Sequence, residues 1–415
     1  MTMQAEIITI GDELLLGQTI DTNSAWIGTE LSNIGFDIHR KTSVHDRRED
    51  ILDALESIKD DTDVVIITGG LGPTSDDVTK PVLCDFFNTR LIPNEEVLTM
   101  IRNMMKRRGF TLNENNRRQA EVPESCRILT NAMGTAPGMW FEKKGTIYIS
   151  VPGVPAEMKY IMSDHVIPDL KKRLSSQTII HKNVMTYGTY EAKLAEILTD
   201  FEKALPGNIK LAYLPSFGVI KLRLTAKGDD FGKLSNIINE QVVKLYQYIP
   251  EYIFSENEES LEMVIGRLLR EKKMTLCTAE SCTGGKIAGM ITSIAGSSDY
   301  FTGSVVAYAN SIKTNLLGVQ NELIKQYGAV SEQVVRMMSE GARKLFNTDY
   351  SVATSGIAGP GGGSEDKPVG RVWISVSSEE CTVTEKQTFS NDRSINIERF
   401  SRAALNLLRK QIISK

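Results

Sequence analysis

Histidine is scarce in this chain. Among 415 residues there are four, His39, His45, His165 and His181, and none follows position 181. A Ser-His-Asp hydrolase is therefore excluded from everything beyond that point. Cysteine is equally uninformative: Cys84, Cys126, Cys277, Cys282 and Cys381 are scattered, odd in number and without CxxC spacing. Neither a disulfide framework nor a thiolate metal site is indicated. There is no excess of positive charge; the formal net charge of −4 argues against nucleic-acid binding through bulk basicity. No run approaches the ~18 uninterrupted apolar residues of a membrane span. The N-terminus has neither a basic n-region nor a signal-peptide h-region, so a soluble cytoplasmic protein is expected. The fingerprints GxGxxG and GK[ST] are missing, which speaks against a standard dinucleotide fold or an NTPase.

What is present is a long alternation of β and α patterns. Residues 5–10, 36–44 and 63–68 read as strands, with helices over 22–31 and 48–59 between them. The run Val64-Val-Ile-Ile67 is apolar on both faces, as parallel strands are. The fold class expected is α/β, with an open, mostly parallel sheet in the N-terminal domain whose ligands lie past the C-terminal strand ends. Two such ends are unusual. One is Gly11-Asp12-Glu13. The other is the glycine-rich turn with Gly69, Gly70 and Gly72, followed by Asp76, Asp77 and Thr79. Glycines there let backbone N–H groups approach a phosphate, and the carboxylates and hydroxyl are hard ligands for Mg²⁺ or a similar ion bridging a diphosphate. A glycine turn with an aspartate helix cap is the simpler alternative. A third strand end, that of 146–151, lies near Glu157, which faces the same cleft or merely sits in a first helical turn. The arginines of the polar cluster 113–119 either hold phosphates or belong to a solvated helix face.

Residues 172–252 change character to a small α+β module, with strands over 179–186 and 218–225 and helices over 190–198 and 231–248. A nucleic-acid-binding KH module needs a GxxG loop with basic flanks. Gly188-Thr-Tyr-Glu-Ala192 offers one glycine and an acid, so RNA binding is not expected; a lid or a dimer contact is preferred. The acidic stretch 253–260 reads as a linker, and 261–415 as a separate α/β domain.

In that last domain, 274–278 reads as a short buried strand, Gly284 and Gly285 break it, and a helix starts at Lys286. Ser281 falls on the turn, near unpaired N–H groups and the positive end of a helix dipole, where an oxyanion or a phosphate is favoured. Alternatively Ser281 and Thr283 only cap the helix. If Ser281 is a nucleophile, its base must be a lysine of lowered pKa, or a tyrosine assisted by one. Tyr308 and Lys313 offer both. After the apolar strand 350–354, the loop 355–364 carries Gly356, Gly359 and Gly361 among others, which suits amides converging on an anion. Arg393, Arg399 and Arg402 are candidates to reach a phosphate.

These residues carry a resemblance. Gly11-Asp12-Glu13-Leu14, Thr68-Gly-Gly-x-Gly with Asp76-Asp-x-Thr79, and Pro152-Gly-Val-Pro155 look like the domain shared by molybdenum-cofactor biosynthesis proteins. More closely, they resemble the N-terminal domain of the competence- and damage-inducible protein A (CinA) family. Ala279-Glu-Ser-Cys-Thr-Gly-Gly285, Tyr308-x-Asn310-x-x-Lys313, Ser355-Gly-Ile-Ala-Gly-Pro360 and Lys367-Pro-Val-Gly370 resemble the CinA C-terminal domain, which also occurs alone as nicotinamide mononucleotide (NMN) amidohydrolase. The resemblance implies a molybdopterin-binding-like pyrophosphatase domain (1–171), a KH-like middle domain (172–252) and an amidohydrolase domain (261–415). It implies a homodimer acting on small nucleotides. The first domain would split ADP-ribose into AMP and ribose 5-phosphate with a divalent metal (Mg²⁺, Co²⁺ or Mn²⁺); by position we assign Asp12, Asp76, Asp77 and Glu157 to metal or water, with Asp12 alternatively positioning a ribose hydroxyl, and Gly69, Gly70 and Gly72 to the phosphates. The last would deamidate NMN without a cofactor. Ser281, Tyr308 and Lys313 would be catalytic there, and Thr283, Gly284, Gly285, Asn310, Thr354, Ser355, Gly356, Gly359 and Gly361 would bind substrate. Arg371 stands where the family more often has a small or aliphatic residue, and would alter the pocket's charge if it points inward. The alternative is a molybdopterin-binding protein with a non-catalytic C-terminal domain; a regulatory partner of recombination proteins has no support in the residues.

Overall fold

Consecutive isoleucines set up the first domain. In β1 (Gln4–Ile10), Ile7 packs with Ile27, Val64 and Ile66 on one face, while Ile8 and Ile10 pack with Val65, Ile67 and Tyr148 on the other. A strand with period-2 side chains that buries both faces must be covered on both, and each such isoleucine contributes about 1.5–3 kcal/mol. β2 (Asp37–Val44) and β3 (Val64–Thr68) flank β1 in parallel. β4 (Leu91–Pro93) and β5 (Glu121–Pro123) form a separate antiparallel ribbon. With β6 (Arg127–Leu129), β7 (Gly138–Lys143) and β8 (Thr146–Val151) the main sheet has the order β2-β1-β3-β8-β7-β6, with β8 parallel to β3 and the last pairs antiparallel. Helix α1 (Thr22–Asn33) is capped by Asp21, whose carboxylate accepts the Ser24 N–H; α2 (Thr79–Phe87) and α3 (Pro155–Ile161) follow the second and third strand ends.

The computed structural model describes residues 3–74, 77–173, 178–216 and 218–414. It divides into two units, Met1–His181 with Ala226–Asn236, and Lys182–Thr225 with Ile237–Lys415. The middle module has the strand order β10-β11-β9-β12, from β9 (Thr178–Tyr187), β10 (Ile209–Ser216), β11 (Val219–Gly228) and β12 (Ile253–Ser255), with helices α4 (Glu191–Ile197) and α5 (Phe231–Tyr248).

The expected linker at 253–260 needs correction. Ile253, Phe254 and Ser255 are buried in β12 and pair antiparallel with β9, and the Arg409 guanidinium donates to the Ile253 carbonyl at 3.4 Å. Only 256–259 connect, because Ser260 already caps α6 (Leu261–Lys272) by accepting the Met263 N–H. Three strand residues are too few to show a period among acidic neighbours. Tyr187, Val219 and Phe254 belong to the same core as Leu261, Ile265, Phe400 and Leu408, so the middle module and the last domain share packing.

The last domain has five strands in the order β14-β13-β15-β16-β17: β13 (Leu276–Glu280), β14 (Phe301–Val306), β15 (Tyr350–Gly356), β16 (Arg371–Ser377) and β17 (Thr382–Thr388). β13 lies parallel between β14 and β15; β16 and β17 extend the sheet antiparallel. α7 (Lys286–Thr292), α8 (Asn310–Leu317), α9 (Glu332–Phe346) and α10 (Arg393–Ile413) cover it. The chain leaves β13 for β14 on one side and then crosses to β15 on the other. That reversal opens a crevice at the carboxyl end of β13, where open α/β sheets bind ligands. Among the described residues no helix is long and apolar enough to cross a membrane.

Candidate active site

Ser281 follows the last residue of β13 directly, two residues later than the sequence pattern placed the strand end. Its N–H donates to the Thr354 carbonyl of β15 at 3.0 Å, which pins the turn at the switch point. The side chain of Glu280 is fully buried beneath it. That carboxylate accepts the N–H groups of Gly285 and Ile287 at 3.0 Å each and of Ala288 at 2.8 Å. An N-terminal helix amide is an unmet donor beside a dipole's positive end, so a carboxylate there is well placed. The first-turn amides of α7, expected to face an oxyanion, are therefore already bonded to Glu280. No local pattern signals this, since a glutamate closing a strand looks like any other.

Gly284 and Gly285 adopt φ of +59° and +96°, the left-handed region that glycine enters without penalty. Thr283 is buried, and its hydroxyl meets that of Thr354 at 2.8 Å. The Ser355 hydroxyl donates to the Ala329 carbonyl at 2.7 Å. These two threonines and Ser355 thus brace the turn between β13 and β15. At Gly356 a Cβ would approach the Arg371 carbonyl to 2.6 Å, so that glycine serves strand packing; Gly361 meets nothing and stays open to a ligand.

Lys313 lies in α8 and is 1% exposed. Its ammonium donates to the Ala307 carbonyl at 2.7 Å and the Tyr308 carbonyl at 3.3 Å. Burial pushes its pKa down from the ordinary lysine value, partly countered by the Cys282 thiol within electrostatic range. A lysine whose pKa is lowered by burial is the type of group that can accept a proton without imidazole. Tyr308 is placed otherwise. Its ring is 64% exposed, and its hydroxyl accepts from Arg393 Nη2 at 3.2 Å, while Arg393 Nη1 donates to the Gly359 carbonyl at 2.9 Å. Among the described residues no hydrogen bond joins the Ser281 hydroxyl, the Tyr308 phenol and the Lys313 amine. Arg393 instead ties Tyr308 to the glycine loop, which singles it out from the other arginines: Arg402 pairs with Glu398, and Arg399 lies elsewhere on the helix. Asn310 is exposed at the start of α8. Arg371 donates to the Asp366 carbonyl.

In the first unit Asp12 opens a short helix after β1. Its carboxylate meets His45 Nδ1 at 2.8 Å and accepts the Asp46 N–H at 3.3 Å, and the Asp12 N–H donates back to Asp46. The His45 contact holds the Asp12 carboxyl below its usual range. Asp46 is pushed up, first by burial and then by the charges of Glu13, Asp12 and Asp77. Sequence reasoning missed Asp46 because it closes a polar strand with no glycine or paired acid to mark it. Asp77 accepts from the Gly72 N–H at 2.8 Å and from Thr74 N–H and hydroxyl at 2.9 and 2.5 Å. It closes the glycine loop with both oxygens. Gly69 and Gly70 have φ of +117° and +63°, and a Cβ would collide with the Ile10 carbonyl in one and the Thr79 hydroxyl in the other. Thr79 itself donates to the Gly69 carbonyl at 3.2 Å. Nearby Lys80 is buried, pushed down to about 8 by burial, and held by the carbonyls of Gln119 and Glu121.

Of the expected metal set, Asp12, Asp77 and Glu157 are among the described residues. Glu157 accepts from Asn131 Nδ2 at 2.7 Å against Gly134, and burial pushes its pKa up. Asp76 lies outside the described residues. Among the described residues no group of three or more His, Cys, Asp or Glu is arranged to hold a metal ion. The acids that do gather electrostatically are Asp12, Glu13, Asp46 and Asp77. Carboxylate oxygens are hard ligands of the kind that suit a divalent cation.

Fold and sites together define a protein that couples a molybdopterin-binding-type α/β domain and a KH-like module to a second α/β domain with a serine at its switch point. Residues 6–172 match the family model described as a probable molybdopterin binding domain, 181–255 the damage-inducible protein CinA KH domain, and 258–412 the CinA C-terminal domain. The chain is 48% identical over 408 residues to a CinA-like protein of Cytophaga hutchinsonii, covering 98% of each. It is 39% identical to a putative competence-damage inducible protein of Caldicellulosiruptor bescii, covering 99% of this chain and 100% of that one. A solved structure, competence/damage inducible protein CihA from Agrobacterium tumefaciens, is 35% identical over 38% of this chain and 98% of its own, with a TM-score of 0.36. The chain belongs to the CinA family.

Proposed function

We propose that the C-terminal domain is a serine amidohydrolase that deamidates NMN to nicotinate mononucleotide and ammonia. The observation that supports it is the burial of Lys313, whose amine lies within electrostatic range of Cys282, the residue after Ser281. The Ser281 hydroxyl attacks the carboxamide carbon and gives its proton to the Lys313 amine. That proton passes to the leaving ammonia, and water then hydrolyses the ester to restore the serine. With the α7 amides bonded to Glu280, the oxyanion is met by N–H groups of Cys282 and of the 358–363 glycine segment. Tyr308 and Arg393 act on the substrate side, the guanidinium toward the phosphate. Ser281→Ala and Lys313→Met are each expected to lower ammonia release by about three orders of magnitude or more with an unchanged circular-dichroism spectrum. Wild-type turnover in either variant removes the assignment.

A second reading belongs to the first domain, and the gathering of Asp12, Glu13 and Asp77 around the half-buried Asp46, raised first by burial and then by their charges, favours it. There the domain cleaves ADP-ribose to AMP and ribose 5-phosphate, with Asp12, Asp46 and Asp77 toward a divalent cation (Mg²⁺, Co²⁺ or Mn²⁺) that would neutralise the diphosphate. Chelation by EDTA is expected to stop ADP-ribose cleavage and leave NMN deamidation intact. Molybdopterin binding without hydrolysis would favour the binding-protein alternative.

A further inference from the structure

A cavity of the second unit lies at neither site. It holds about 630 Å³ and lies between the turn after β9 and the pair β17 and α10, a size ordinary for small-molecule sites. Tyr187, Thr189, Phe389, Arg399, Asn406 and Lys410 are among the residues lining it. Two polar atoms there are buried without a partner, the Thr189 hydroxyl oxygen and Arg399 Nε. Buried polar groups are almost always satisfied, and the exceptions call for an explanation. Among the described residues neither Arg399 nor Lys410 is ion-paired: its neighbour on the helix, Glu398, is engaged by Lys286 and Arg402. The Arg399 guanidinium lies 5.9 Å from the centre of the Phe389 ring. Two carboxylates, Glu191 and Glu385, also line the space, the latter accepting from the Gln387 amide.

From these we infer a second ligand site, distinct from the Ser281 crevice, that takes a mononucleotide. Each part of such a ligand has a counterpart on the wall. The phosphate meets Arg399, which suits it as a fork, while Lys410 lies roughly 16 Å further along the same helix at the other end of the wall. The planar base lies against the rings of Tyr187 and Phe389. Ribose hydroxyls and exocyclic amines donate to Glu191 or Glu385. A bare phosphate leaves the rings unused, and a nucleoside leaves Arg399 unpaired. The occupant abuts α10, whose first residue is the Arg393 that holds Tyr308, so its binding bears on the helix that also serves the crevice. The site does not depend on either catalytic reading.

The test uses the full-length chain with AMP, adenosine and inorganic phosphate as probes. Acetic-anhydride labelling of Lys410 is followed by mass spectrometry, and affinity by calorimetry. AMP is expected to protect Lys410 about fivefold or more, while adenosine and phosphate, each missing half of the contacts, do not. Arg399→Met is expected to remove that protection and weaken this binding event about tenfold or more, with Arg399→Lys retaining part of it. Equal labelling of wild-type Lys410 with and without AMP overturns the site whether or not the variants fold. Protection by adenosine alone overturns the anion contact, and protection by phosphate alone overturns the ring contact. Unchanged AMP protection in Arg399→Met overturns the role of that arginine and with it the proposal.

Discussion

Lys313 is the residue on which the proposed amidase chemistry turns. Its amine must be neutral to accept the Ser281 proton, and burial lowers its pKa from the ordinary value. Deamidation of NMN is therefore expected to rise with pH through a midpoint below that of a free lysine. The pH profile of kcat/KM measures it, and a flat profile down to acid pH would contradict it. Glu6 makes a different kind of statement. Burial alone would raise its carboxyl, but His39 at 2.9 Å, Arg40 at 2.5 Å, the Lys59 N–H and Thr62 outweigh that and hold it below the usual value. A depressed folded pKa gives stability that is complete above the unfolded pKa and is lost as pH falls through the folded one. Urea unfolding is expected to show this loss from about pH 5 downward, with a shallower acid dependence in Glu6→Gln.

Elements at both sites are held by small, specific devices. The α7 N-terminus depends on Glu280, and Glu280→Gln puts an amide NH₂ among donors that need an acceptor. A loss of about 2–3 kcal/mol is expected in chemical denaturation, with kcat for NMN falling as the Ser281 turn loosens. The two glycine loops separate by what a methyl group would meet. Gly69→Ala combines φ of +117° with a collision against backbone, and should destabilise strongly. Gly361→Ala meets open space and should leave stability within about 0.5 kcal/mol while altering NMN affinity. Thermal melts and KM compare them directly; equal effects would mean that the loops are not built as described. At this scale the sequence was informative where glycine or a switch of period marks a boundary, as at Gly284-Gly285 and Gly69-Gly70. It was silent on Asp46 and Glu280, since the partners that give these acids their roles are backbone amides and side chains brought in by folding.

For the whole molecule, the shared core around Tyr187, Phe254, Leu261 and Phe400 means that the KH-like module stands or falls with the last domain. Hydrogen exchange should show β9 and β12 protected to the same free energy as β13 and β15, as one cooperative unit. Phe254→Ala should lower that common value by about 3–5 kcal/mol; loss of protection in β12 alone would refute the shared core. Legible in the chain alone were the α/β class, the four parallel strands of the first sheet and the turn that carries Ser281. Those follow from period, glycine and local propensity, which act between residues close along the chain. Only the tertiary structure decided that Tyr308 turns to Arg393 while Lys313 turns inward, that Glu157 answers to Asn131, and that the 253–255 stretch is a strand of the core. Each of those outcomes is set by hydrogen bonds and desolvation among groups far apart in sequence, where no local pattern reaches.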